Sequence, residues 1–509
     1  MQIRVYLKNA AILTVSGLVL RVLGMAFRVF VAARIGSEGM GLYQLILSVY
    51  MVFVSLASSG MNVASTRLAA QSLARGRSMA RTVRRLVLVA GALGMAAMGL
   101  QFLLAEPLAR YLLHDVRGAV SLKILAPSLP VMAVAGALRG CFLARRRVEP
   151  NAVAQLVEQL VRMGVVWLAL RRFSHWGAGY ACAAVLAGNT VSEAVSCLLM
   201  ILFARRDPGL RSRGTGKEAE RPPFSGRELA EILLPVEGTR ILASALQAAE
   251  ASLIPLCLAL YLGDKSAAIS QYGALKGMAL PLLFFPFSIL SALSSLLMPE
   301  IARAHARRDR AAAARLIDTT LRTAGVFSML MGSCFVLFGR QAAQLLYGDA
   351  QVGAYLCLLG AVAPFMYLES MVDGLLKGLG EQLATFRYSL LDSALRILGI
   401  VLLLPRFGIT AFLCIMAVSN LLTFALNTAR LLDRAGMEPR LFVWFGRPAA
   451  FALAAGAGGW LVLRAAGQTL PGLLIAGGTV CLVYAALITL TGGLPLPRLT
   501  GKSLHWKKI

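Results

Sequence analysis

Residues 10–33 read AAILTVSGLVLRVLGMAFRVFVAA, and two arginines, Arg21 and Arg28, sit inside this otherwise apolar run. The run matches the ~20 apolar residues a helix needs to cross a ~30 Å hydrocarbon core. An arginine near mid-bilayer costs at least ~2.5 kcal/mol even on the gentlest insertion scale, so two of them require compensation. They are seven residues apart and project from one helical face. Thr14, Gly17, Arg21, Gly24 and Arg28 make one stripe that is small, polar or cationic throughout, while the other faces are Leu, Val, Ile, Met and Phe. Such a helix predicts lipid on one side and a positive, wet cavity on the other. The competing reading is that the arginines snorkel or pair with a buried acid and only hold helices together.

Composition agrees with a membrane chain. Of 509 residues, 58% are hydrophobic and 15% charged, and the mean hydropathy is +0.72. A soluble protein of this length is not so apolar. A net charge of +27 would ordinarily point to nucleic acid, but here the placement of the charges explains it better. The eight cysteines, Cys141, Cys182, Cys197, Cys257, Cys334, Cys357, Cys414 and Cys481, lie in apolar runs with no CxxC and no histidine at ligand spacing. They read as small core or lipid-facing residues, and no metal or cofactor is expected. The N-terminus lacks the short apolar core and cleavage site of a signal peptide and is expected to be retained.

Hydrophobic runs of spanning length recur. They place helices near 10–33, 41–61, 84–105, 119–143, 152–170, 178–204, 229–262, 272–298, 321–338, 353–376, 384–404, 408–432, 447–464 and 470–491, fourteen in all. The fold expected is therefore all-α and polytopic. Residues 1–204 form an N-terminal six-helix lobe, 205–228 a basic Gly/Pro-rich linker, and 229–440 a second six-helix lobe; 441–509 hold two accessory helices and a basic tail. With the N-terminus in the cytoplasm, 34 Lys/Arg fall in cytoplasmic segments and 10 in outer loops. That bias sets the orientation, with both termini cytoplasmic, and suits anionic membrane lipids. The remaining seven cations, Arg21, Arg28, Arg139, Arg162, Arg240, Lys276 and Arg396, lie inside spans.

The chain repeats itself. Gly136/Gly374, Arg139/Lys377 and Gly140/Gly378 match at one offset, and Glu158/Asp392, Arg162/Arg396, Arg172/Arg406 and Phe173/Phe407 match after a four-residue deletion. VAARIGSEGMGLYQ from Val31 echoes LALYLGDKSAAISQYG from Leu258. Six helices per repeat is an even number, so the repeats run parallel, related by an axis along the membrane normal. Parallel six-helix repeats around a cationic cavity describe a transporter that alternates access by rocking two lobes, with a V-shaped cavity lined by the first, second, seventh and eighth helices.

Three stretches carry a family resemblance: GLVLRVLGMAFRVFVAARIGSEGMGLYQ, YGALKGMALPLLFFPFSILSALSSLLMPEIARA and KGLGEQLATFRYSLLDSALRILGIVLLLPRFGI. They resemble the multidrug/oligosaccharidyl-lipid/polysaccharide flippase superfamily, and within it the polysaccharide biosynthesis branch of stage V sporulation protein B, a relative of the peptidoglycan lipid II flippase. The resemblance covers nearly the whole chain. It implies movement of an undecaprenyl-pyrophosphate-linked saccharide from the inner to the outer leaflet of a bacterial cell membrane, by a monomer and without a nucleic-acid partner. It also implies that Arg21, Arg28 and Lys276 are substrate-binding charges, although the pattern has arginine where this chain has Lys276. The physics favours the same substrate class, because fixed cations replace the hydration of a pyrophosphate and arginine pairs its oxygens bidentately. Arg240 supplies a further charge from the second lobe, and Arg67, at the inner end of the second helix, is either an entrance residue or an ordinary cytoplasmic charge.

The acids divide into two groups. Glu158–Arg162 and Asp392–Arg396 are matched acid–arginine pairs at i,i+4, close enough to bond. They are read chiefly as self-neutralising structural pairs, with gating that changes as the lobes rock as the alternative. Glu369 and Asp373 have no acidic counterpart in the first repeat, which suits a proton or sodium site coupling transport to a gradient or to the membrane potential; the other reading is that they neutralise neighbouring arginines. Glu237, Arg240, Ser244 and Gln247 share one stripe of the seventh helix, and Glu250 lies close to it. A cation-coupled drug antiporter would want acids on the first helix. A membrane enzyme acting on lipid-linked sugars would need a catalytic base, yet His114, His175, His305 and His505 all lie in loops or the tail. No phosphate-cradling or paired-carboxylate motif stands out.

Overall fold

The computed structural model describes residues 2–58, 60–173, 177–212, 224–307, 309–467 and 469–491. Part of the basic linker (213–223), the tail from 492 to 509, His175 and His505 lie outside the described residues. Sixteen α-helices follow in chain order: α1 (Gln2–Ser58), α2 (Met61–Ala74), α3 (Met79–Pro107), α4 (Arg117–Leu125), α5 (Ser128–Ala144), α6 (Glu149–Phe173), α7 (Ala178–Arg206), α8 (Gly226–Leu262), α9 (Lys265–Tyr272), α10 (Leu280–Phe284), α11 (Phe287–Ala306), α12 (Arg310–Tyr347), α13 (Ala350–Gly378), α14 (Gln382–Ala435), α15 (Arg447–Ala466) and α16 (Leu470–Leu490). Among the described residues there is no strand.

The chain is all-α and polytopic. Among the described residues eleven helices are long and apolar enough to cross a membrane, and a twelfth arises if the segments on either side of Phe285–Pro286 count as one. Two of these are double. α1 contains non-helical Gly36 (φ 69°, ψ −178°) and α14 contains non-helical Gly408 (φ 63°, ψ −150°). A positive φ is open to glycine at little cost, so each glycine ends one helix and starts the next without a loop. Splitting both is consistent with the fourteen spans read from the sequence. Two predicted spans are interrupted. The fourth divides into α4 and α5 at Ala126–Pro127, and the eighth breaks at Pro286 after a wide-turn segment, Gly273–Ala279. Proline removes a backbone donor and crowds the preceding turn, which accounts for both breaks.

The chain divides into two compact units. Unit 1 comprises Met1–Phe285 and Ser393–Ile415, and unit 2 comprises Pro286–Asp392 and Met416–Ile509. One core cluster of unit 1 gathers Met61, Leu68, Met79, Leu86, Phe142, Met200 and Phe224, all nearly inaccessible. The second half of α1 meets the Lys265–Ala279 stretch through glycines: a Cβ on Gly41 would collide with the Ile269 carbonyl, and one on Gly273 with the Ser37 carbonyl. The same contact carries a Ser37–Ser270 hydroxyl bond of 2.5 Å. In unit 2, α15 and α16 pack on each other and on α12 around Phe338, Ala455, Val480 and Tyr484. The Tyr484 hydroxyl donates to the Val326 carbonyl (2.8 Å), and the Trp444 indole donates to Asp318 (2.9 Å).

Candidate functional site

The first half of α1 delivers Arg28 to a cavity of about 320 Å³ inside unit 1. Its wall comes from α1 (Gly24, Phe27, Arg28, Tyr43, Tyr50), α5 (Met132), α6 (Gln159, Arg162) and α7 (Asn189, Glu193). Among the described residues Arg28 makes no ion pair and no side-chain hydrogen bond. Its guanidinium therefore presents all its donors to whatever fills the space. Gly24, one turn earlier, adds no side chain, which keeps the wall open beside it. Arg21 is exposed on the same helix.

A four-charge cluster runs from the cavity wall, where Arg162 and Glu193 stand, back to Glu158 and Arg139. Arg162 Nη2 reaches Glu158 Oε1 at 2.7 Å, and Arg139 Nη2 reaches Glu158 Oε2 at 3.0 Å. Glu158 thus bridges α5 and α6. Arg162 also donates to the Ser192 hydroxyl (3.3 Å) and the Gln159 carbonyl oxygen (3.2 Å), and Arg139 to the Ser196 hydroxyl (2.9 Å). Glu193, on α7, stands 3.9 Å from Arg162, and its Oε2 is buried with no hydrogen-bond partner. The i,i+4 pair expected from sequence is therefore present as one edge of a larger network. Glu193 escaped the sequence reading. Its signal was there, in the polar positions Asn189, Ser192, Glu193 and Ser196 on an otherwise apolar helix.

Lys276 takes a different position from a free substrate ligand. Its Nζ lies 3.1 Å from Glu250 Oε1 and over the Phe412 ring, 5.3 Å from the centroid. Arg396 approaches the same Glu250 oxygen at 3.9 Å. Glu250 is buried, so its two cations offset the cost of holding a carboxylate there. Arg240 and Arg67 are exposed and form no ion pair among the described residues. Glu237 is half-buried beside Gly60, with Oε1 lacking a partner. In unit 2, Asp373 bonds Lys377, a lysine one turn on, at 2.5 Å, and Glu369 accepts from the Asn427 amide at 3.3 Å. Asp392 accepts hydrogen bonds from the hydroxyls of Ser419 and Thr423. No cluster of metal-ligating side chains occurs among the described residues, and the cysteines are free thiols.

Comparison with known proteins places this architecture. The family model for "Polysaccharide biosynthesis protein" matches residues 6–305, more than half of the chain. The chain belongs to that family. Stage V sporulation protein B of Bacillus subtilis (strain 168) is 26% identical over 441 residues, covering 83% of each chain. The lipid II flippase MurJ of the same organism is 26% identical over 202 residues, 36% of this chain and 37% of that one. Among solved structures, the lipid II flippase MurJ in an inward closed conformation superposes with a TM-score of 0.71, covering 94% of this chain and 98% of that one at 11% identity. An inward-facing multidrug resistance MATE family transporter of the MOP superfamily superposes with a TM-score of 0.60, at 15% identity over 82% and 96% of the two chains. These likenesses show that the polysaccharide biosynthesis family member shares the fold of both solved structures.

Proposed function

We propose that this family member is a flippase that carries an anionic polyprenyl-pyrophosphate-linked saccharide from the inner to the outer leaflet of a bacterial plasma membrane. The observation that supports it most is Arg28, an arginine inside a spanning helix that lines a cavity and pairs with no acid among the described residues. Three of the other cations in the spans are paired, Arg139 and Arg162 with Glu158 and Lys276 with Glu250, while Arg240 is exposed and lines no described cavity with Arg28. A lone intramembrane cation facing a polar cavity is functional by default, and a pyrophosphate is the chemistry that satisfies it. Arg21, Arg240 and Arg67 are assigned supporting roles along the substrate's path, and Lys276 a role through its ion pair with Glu250. The relatives point the same way, since one of them is named a lipid II flippase.

The reading includes alternating access by a monomer with both termini cytoplasmic and anionic lipids around it. It also includes drive from a proton or sodium gradient or from the membrane potential, with Glu369, Asp373 and Glu237 as candidate coupling groups. A drug antiporter would want a carboxylate where Arg28 stands. The test is reconstitution into liposomes with a fluorescent polyprenyl-pyrophosphoryl saccharide in the outer leaflet and a membrane-impermeant quencher. Accelerated loss of quenchable signal, abolished in Arg28→Ala, supports the reading. Transfer at the rate of protein-free liposomes by well-folded wild-type protein contradicts it.

A further inference from the structure

The Arg28 cavity holds a second group that anion binding alone does not explain. Glu193 lines the same cavity, with one carboxylate oxygen buried and unbonded. Its nearest cation, Arg162 at 3.9 Å, is already held at 2.7 Å by Glu158. Glu158 in turn has Arg139 at 3.0 Å as well. Of the two carboxylates, Glu158 is doubly compensated and Glu193 hardly at all. A buried anion without its hydrogen bonds is costly, and a proton on the free oxygen removes that cost.

Resting on the anion-binding reading above, we infer that Glu193 is a proton site coupled to the substrate pyrophosphate in the Arg28 cavity. The charged groups around the cavity are Arg28 on α1, Arg139 on α5, Glu158 and Arg162 on α6, and Glu193 on α7. The phenols of Tyr43 and Tyr50 also line it, Tyr50 bonded to the Ser128 hydroxyl at 2.5 Å, and neither described histidine does. With both carboxylates ionised, three arginines and two acids leave one net positive charge. A proton on Glu193 leaves two and releases Arg162 from its second acid. The cavity then holds an anion more tightly, and by linkage the bound anion draws the proton in. Binding of the anion thereby takes up a proton.

The probe is a short-chain polyprenyl-pyrophosphoryl sugar, a diester whose own charge does not change between about pH 6 and pH 8. The measurements are its affinity for the full-length protein in detergent and the proton uptake on its addition in weak buffer. Wild type is expected to bind about fivefold or more tightly at the lower pH, within the usual range of coupling between two sites. Glu193→Gln, a neutral mimic of the protonated acid, is expected to bind at about pH 8 as wild type does at about pH 6, with no pH dependence and no proton uptake. Wild-type uptake on binding supports the inference even where the variant folds poorly. Binding that does not change with pH, without uptake, overturns the inference and leaves the flippase reading standing. A Glu193→Gln protein that keeps the wild-type pH slope also overturns it. Failure of wild type to bind at either pH overturns both.

Discussion

The two repeats carry the same acid–arginine spacing and surround it differently. In the first, Glu158 holds Arg162 at 2.7 Å and Arg139 at 3.0 Å, so one acid serves two helices. At the matching places in the second, Asp392 takes hydroxyls from Ser419 and Thr423, and Arg396 stands 3.9 Å from Glu250. The counterpart of Arg139 is Lys377, which bonds Asp373 on its own helix. Gly177 (φ 104°) and Gly408 (φ 63°), both in the left-handed region, anchor the register of the next helix. In that register Ser192 falls opposite Thr423, Ser196 opposite Asn427 and Glu193 opposite Phe424. The hydroxyl position is shared and the second acid is not. The spacing of a helix's own charges thus decides which groups point inward. Which partners they find is decided by the helix packed against them.

The comparison makes a ranked set of expectations. Glu158→Ala strands Arg139 and Arg162 in the membrane, and breaking a buried pair in this way costs about 3–5 kcal/mol. Thermal melting in detergent should show the largest drop of the set. Asp392→Ala removes the acceptor of the Ser419 and Thr423 hydroxyls, and whatever else Asp392 and Arg396 hold, Arg396 keeps Glu250 within 3.9 Å. Its melting point should fall by less, in keeping with about 1–3 kcal/mol for an unsatisfied buried group. Equal losses would break the comparison. Glu250→Ala leaves Lys276 and Arg396 with one fewer counter-charge, but the second contact is the longer one, and the same melting series should place it between the other two.

The smallest effect tests an ion pair outside the spans. Asp207 follows α7 and bonds Arg145 and Arg147 in the turn after α5. Burial alone would raise its carboxyl. The hydrogen bonds from Arg145 and from the Leu210 and Gly209 amides outweigh that and hold it below the ordinary carboxylate range. A lowered folded-state value means the stabilisation is complete above the unfolded value, about 3.9, and fades as pH falls below it. Asp207→Asn should therefore melt slightly lower than wild type at neutral pH, with the gap closing in acid. A gap as wide at about pH 3 as at neutral pH would mean that the carboxylate charge contributes nothing there.

Much of the fold was legible. Spanning runs of apolar residues announce each helix, because the bilayer leaves the backbone no other partner, and the break at Gly36 falls between two such runs. The breaks at Pro127 and Pro286 were less so, since an apolar run continues through a proline without changing the hydropathy. At the site, Arg28 was legible as a cation on a small-residue stripe, and Glu158–Arg162 as an i,i+4 pair. The pairing of Lys276 with Glu250 was not, because the two are 26 residues apart on different helices and only packing brings them together. Glu193 was missed for a related reason: a single acid on an apolar helix has no spacing partner, and its meaning appears once α6 and α7 lie side by side.

Arg28 is where the account is most exposed. Native mass spectrometry of the detergent-solubilised protein with an added polyprenyl-pyrophosphoryl saccharide, for wild type, Arg28→Lys and Arg28→Ala, tests it directly. Loss of a charged hydrogen-bond partner is worth about 1.5–3 kcal/mol, or roughly ten- to a hundredfold in affinity. The account predicts that Arg28→Ala loses that much while melting close to wild type, because no acid among the described residues is stranded. Arg28→Lys should keep part of the affinity, since the charge persists and the bidentate fork is lost. An Arg28→Ala protein that binds the saccharide as tightly as wild type would contradict the account and make Arg28 a structural residue.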